Sequence, residues 1–139
     1  MSQADLKALA PVRQHREAQA ERAWRQQRDL LREQEAALAT ARVRLQAARE
    51  HHAAQREALY HAHQGRALDM RALGAWNEQE HRLINELAEQ TRALQALHDQ
   101  QAQQAQAAAD AEQRLRGCRR DLEKLKALME RLVEDTRDE

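Results

Sequence analysis

An all-α fold, a long two-helix antiparallel coiled-coil hairpin, is what this sequence predicts, and three observations predict it. First, Ala (29), Arg (20), Leu (18), Gln (18) and Glu (15) make up 100 of the 139 residues, while Val, Ile and Thr together number seven. All five abundant residues are strong helix formers, and the β-branched and aromatic side chains that fill a pleated sheet are nearly absent. Second, half of the 58 apolar residues are Ala, which leaves too few bulky side chains for the core of a compact globule of this length. Third, an apolar seven-residue repeat runs in one register through most of the second half, the signature of a left-handed coiled coil.

The elements follow in chain order. Ser2 and Asp5 have the spacing of a capping box and start a short turn over residues 3–10. Pro11 lacks the N–H that a helix interior requires, so it should interrupt or kink the chain there. Helix one then covers about 12–64. Its bulky column is Trp24, Leu31, Leu38, Leu45, His52 and Leu59, and three residues after each come Gln27, Gln34, Ala41, Ala48, Gln55 and Ala62. Gly65 and Gly74 frame a tip at about 65–74, with Gly65 suited to a helix C-terminus.

Helix two covers about 75–134 and carries the clearest pattern. One column reads Leu73, Glu80, Leu87, Leu94, Gln101, Ala108, Leu115, Leu122, Met129, and the other reads Trp76, Leu83, Gln90, Leu97, Gln104, Ala111, Cys118, Leu125, Leu132. Fourteen of these 18 positions are apolar. Folding the chain near Asp69 sets Leu45 opposite Leu94, Leu31 opposite Ala108 and Trp24 opposite Leu115, so the bulky column of helix one meets the Ala-rich stretch of helix two. This favours the hairpin, and a parallel dimer of long helices is the alternative. Sixty residues at about 1.5 Å each make a helix of roughly 90 Å.

The same residues exclude several function classes. Twenty-three basic and 23 acidic residues cancel, which leaves no bulk charge to hold nucleic acid. No apolar run reaches the length of a membrane span, so neither insertion into a bilayer nor an extracytoplasmic location is expected. A lone Cys118 on a seam column reads as an inert, packed thiol. None of the seven histidines has another at the i+3 or i+4 spacing that puts two ligands on one helix face. His52 reads as a satisfied or partly wet seam residue, and a metal bridge between His63 and His81 is a minor alternative. With no glycine-rich phosphate loop and no concave pocket, neither an enzyme nor a cofactor is expected. Trp76 has two readings, a seam filler or an exposed anchor beside the tip.

Taken together, this layout, Trp76 opening the second helix after a glycine-containing tip, and the run Arg119-Arg120-Asp121-Leu122-Glu123-Lys124-Leu125-Lys126 resemble the FliJ/YscO (SctO) family of type III secretion and flagellar export. The resemblance implies a non-enzymatic central stalk, similar in shape to the stalk of rotary ATPases. Its paired termini would enter the hexameric export ATPase, its other end would approach the export-gate protein of the inner membrane, and it would engage secretion chaperones. By position, Leu6, Leu9, Arg119, Arg120, Lys124, Lys126, Met129 and Leu132 would face the ATPase, and Trp76, Leu83, Ile84 and Leu87 the gate. Such a protein is cytoplasmic and peripheral to the inner membrane. The chain departs from flagellar members in its acidic end, Glu134-Asp135-Thr136-Arg137-Asp138-Glu139, which favours a virulence-type member. The alternative is a generic coiled-coil adaptor or spacer unrelated to secretion.

Overall fold

The computed structural model describes residues 2–64 and 69–138, without the side chain of His63. Its two elements are helices, α1 (Gln3–His63) and α2 (Met70–Arg137), which pack against each other in opposite directions. The chain divides into two units. A terminal unit contains residues 1–33 and 102–139, and a central unit contains residues 34–101. Each is a pair of antiparallel helical segments joined along a narrow seam.

The heptad columns are the seam. Of the 18 positions in the two columns of α2, all but Leu73 and Gln90 are buried or half-buried, and in α1 every column position from Trp24 to Leu59 is too. The most deeply buried side chains are Leu6, Ala108, Ala111, Leu115 and Leu125 in the terminal unit, and Leu38 and Leu45 in the central unit. Ala108 and Ala111 are 8% and 5% exposed, a methyl group being small enough for the seam to cover. Leu45 and Leu94, set opposite each other by the fold-back, line one groove.

Polar contacts adjust that register. Arg119 lies between Glu17 and Glu21, one turn apart around the expected Ala20. Glu80 meets Arg56 and His52, up to about two turns before the expected Leu59. In the terminal unit the Gln104 side-chain amide donates to the Gln27 backbone carbonyl at 2.9 Å and to Gln27 Oε1 at 2.7 Å. A half-buried amide that must find this one partner sets the axial alignment, as polar residues do at seam positions of coiled coils.

Both helix starts differ from the sequence expectation. Pro11 does not interrupt the chain: α1 begins at Gln3 and runs through it, so there is no separate turn over 3–10. The Ser2–Asp5 capping box forms as expected, with the Ser2 N–H donating to Asp5 Oδ2 and the Asp5 N–H donating to Ser2 Oγ, both at 3.2 Å. The Ser2 side chain, and then its backbone, hold the Asp5 carboxyl below the usual carboxylate range. A depressed carboxyl contributes stability above its unfolded value, and that contribution disappears as pH falls through the folded value.

α2 likewise begins at Met70 rather than near 75. Asp69 caps it, accepting the Ala72 N–H on Oδ1 at 2.7 Å while its carbonyl accepts the Leu73 N–H at 3.1 Å. Gly74 therefore sits inside a helix, and residues 70–74 are not part of a loop. The expected helix end at Gly65, with residues 66–68, lies outside the described residues. Asp69→Ala should cost about 1 kcal/mol, the usual value of such a cap, measurable as a lower denaturation midpoint with unchanged helicity at low temperature. An unshifted midpoint would contradict the cap.

Candidate functional site

In the terminal unit, the residues expected to face the ATPase separate into two sets. Leu6 is 2% exposed and belongs to the seam, so it offers no surface to a partner. Leu9, Met129 and Leu132 are half-buried along the same seam. Their spacing at heptad positions holds the two chain ends together and leaves little side chain for anything else. Arg119, Arg120, Lys124 and Lys126 are exposed.

Arg119 and Arg120 line a shallow depression of about 620 Å³ together with Gln113, Arg116 and Glu123. Arg116 is paired with Glu112 at 2.8 Å, one turn away on the same helix. Arg119 is shared between Glu17 at 3.4 Å and Glu21 at 4.0 Å across the seam. Such exposed pairs contribute little to stability. Arg120, Lys124 and Lys126 make no ion pair among the described residues. A planar guanidinium and two ammonium groups without internal partners can bind carboxylates of another molecule through charge-assisted hydrogen bonds.

In the central unit, the residues expected to face the gate also separate. Trp76, Leu83 and Leu87 are half-buried seam residues, and Ile84 is 47% exposed. Trp76 is thus mainly a seam filler, although its indole Nε1 is buried without a partner. Exposed apolar side chains that the column pattern does not single out are Val43, Tyr60 and Met70, the last 86% exposed. Each lies off both columns, and that displacement is the sequence signal that marks them.

Near Trp76 the seam changes character. Arg56 Nε forms an ion pair with Glu80 Oε1 at 3.0 Å, and His52 Nε2 lies 3.9 Å from the same oxygen. His52 Nε2, Gln55 Oε1 and Glu80 Oε2 are buried without hydrogen-bond partners. His52 is therefore less satisfied than its column position implied. Orphaned polar atoms of this kind cost about 1–3 kcal/mol each, so this stretch of seam is weaker than an apolar one. The metal bridge between His63 and His81 cannot be placed, because the His63 side chain lies outside the described residues.

No helix among the described residues is long and apolar enough to cross a membrane. The family model of the type III secretion protein YscO matches residues 6–139, nearly the whole chain. No curated protein and no solved structure matches it.

Proposed function

This chain belongs to the YscO family of type III secretion proteins, and we propose that it is the non-enzymatic stalk of the export apparatus, linking the hexameric export ATPase to the inner-membrane export gate and engaging secretion chaperones. Family membership removes the reading of an adaptor unrelated to secretion. The observation that carries the stalk reading is the terminal unit. It joins the two ends of the chain in one antiparallel pair and presents Arg120, Lys124 and Lys126 to solvent without internal partners.

On this reading the cations contact carboxylates of the ATPase, while Leu6, Leu9, Met129 and Leu132 keep the paired ends rigid enough to be inserted. Ile84, with Trp76, Leu83 and Leu87 packed beneath it, belongs to the gate-facing part. The protein works in the cytoplasm against the inner membrane, held there by its partners.

Reversing Arg120, Lys124 and Lys126 to Glu should weaken co-purification of the export ATPase at least tenfold. All three are exposed, so helicity and melting should hold. Trp76→Ala should leave ATPase association intact. Undiminished association in the triple variant, or its loss in Trp76→Ala, would mean that the ends are assigned the wrong way round.

A further inference from the structure

The two flanks of the helix pair are built differently. With Leu38 and Leu94 as a positions of their heptads, residues at e lie beside e across an antiparallel pair, and g lies beside g. The e flank is closed by charge. In the terminal unit Arg119 bonds Glu17 and Glu21, and in the central unit Arg56 bonds Glu80. The g flank is open. In the terminal unit it is a groove of about 510 Å³ lined by Arg16, Ala20, Ala23, Ala111, Arg114, Gly117 and Cys118, among others. In the central unit it is a groove of about 560 Å³ with Ala37, Ala41, Arg44, Leu45, Ala93 and Leu94 in its walls.

The recurrence is regular. Arg16, Gln19, Ala20 and Ala23 line one groove, and Ala37, Thr40, Ala41 and Arg44, three heptads later, line the other. On α2, Gln90, Ala93 and Leu97 stand in the same relation to Ala111, Arg114 and Cys118. Leu30, at the g position following Ala23, is 39% exposed. A methyl group built on Gly117 would meet nothing within 4 Å, so the wall there is open. Small side chains on such a flank let a third backbone approach within the 8–10 Å of packed helices.

We propose that the terminal-unit groove on the g flank is a docking site for an acidic amphipathic helix of a partner protein, with the partner's small apolar face against the alanines and its carboxylates against Arg16 and Arg114. The charge selects the occupant. Arg16 and Arg114 are exposed and make no ion pair among the described residues, and the acid in the walls of this groove is Asp121. The Asp121 carbonyl accepts Arg13 Nη1 at 2.7 Å, which closes part of the terminal groove from inside. A second copy of this chain presenting the same groove would set both cations against their own equivalents. The proposal does not depend on which partner the terminal cations of α2 contact.

The test uses the full chain and two synthetic four-heptad peptides that share a Leu/Ala seam. One carries Glu at every flanking position and the other Lys, so that each repels itself. The Glu peptide should bind at least tenfold more tightly than the Lys peptide in calorimetry, and it should slow maleimide alkylation of Cys118, which lies in the groove wall. Arg16→Glu with Arg114→Glu should lower that affinity at least tenfold, while Arg42→Glu on the other flank should leave it unchanged. Equal binding of both peptides, binding of neither, or binding without protection of Cys118 would overturn the proposal. So would sedimentation showing that the chain alone dimerises with Cys118 already protected.

Discussion

Leu125→Ala should lower the free energy of unfolding by roughly 3 kcal/mol, the middle of the range for a buried Leu truncated to Ala. The thermal midpoint, followed by circular dichroism, should fall by about 10 °C in a chain of this length. Leu125 is 1% exposed and has few neighbours as well buried: Leu6, Ala108, Ala111 and Leu115 complete that set in the terminal unit. A seam one layer deep has no second shell of side chains to collapse into the space, so the lost contacts are not recovered. The control is Val43→Ala, at 70% exposed, which should move the midpoint by no more than the equivalent of about 0.5 kcal/mol. Equal shifts in the two variants would show that packing at the heptad columns is not what holds the helices together.

Pro11→Ala should have the opposite sign. Pro11 lies inside α1, and its missing N–H leaves the Lys7 carbonyl without the bond that a helix interior provides. A proline in that setting costs about 3 kcal/mol relative to Ala. Part of this is returned because proline stiffens the unfolded chain, by about 0.4–1 kcal/mol. The net expectation is a gain of about 2 kcal/mol, seen as a higher midpoint and as slower hydrogen exchange of the amides over residues 3–10. The helix survives the proline in the native chain because it is held on both sides. Ser2 and Asp5 cap the preceding turns, and Leu6 anchors them in the seam at 2% exposure. An unchanged midpoint would mean that the turns before Pro11 do not pack as part of α1.

The two variants together show what is local and what is not. Helix type and the two columns were legible because each is a periodic property, whereas the columns favoured the antiparallel pairing without excluding a parallel one. An apolar side chain every seven residues must face a partner helix wherever the chain goes, and all but two of the 18 column positions of α2 are buried or half-buried. The Ser2–Asp5 cap was legible for the same reason, since its bonds span three residues. Asp69 makes an equally local bond to Ala72, but the glycine at 74 masked it, because Gly serves both as a helix end and as a tolerated interior residue.

The candidate site was half legible. The family resemblance and their position near the chain end picked out Arg119, Arg120, Lys124 and Lys126, and these are exposed. The heptad columns already placed Met129 and Leu132 on the seam, and the structure shows Leu6 buried and Leu9 half-buried as well, so these four hold the ends together rather than face a partner. The passage of α1 through Pro11 was not legible, since packing of Leu6 outweighs a local penalty that a sequence window sees in full.

By itself, then, the sequence determined two amphipathic helices and their heptad columns, because these follow from side-chain spacing along one strand of chain. Tertiary structure alone decided the axial register, in which Gln104 finds Gln27 and Glu80 finds Arg56 rather than a position near Leu59. It alone also decided which flank is closed by ion pairs and which is left open. The reason is physical. Sliding one helix by a turn keeps every apolar residue on the seam, so the hydrophobic pattern barely distinguishes the alternatives. Only the few polar side chains that must meet a particular partner across the pair separate them in energy.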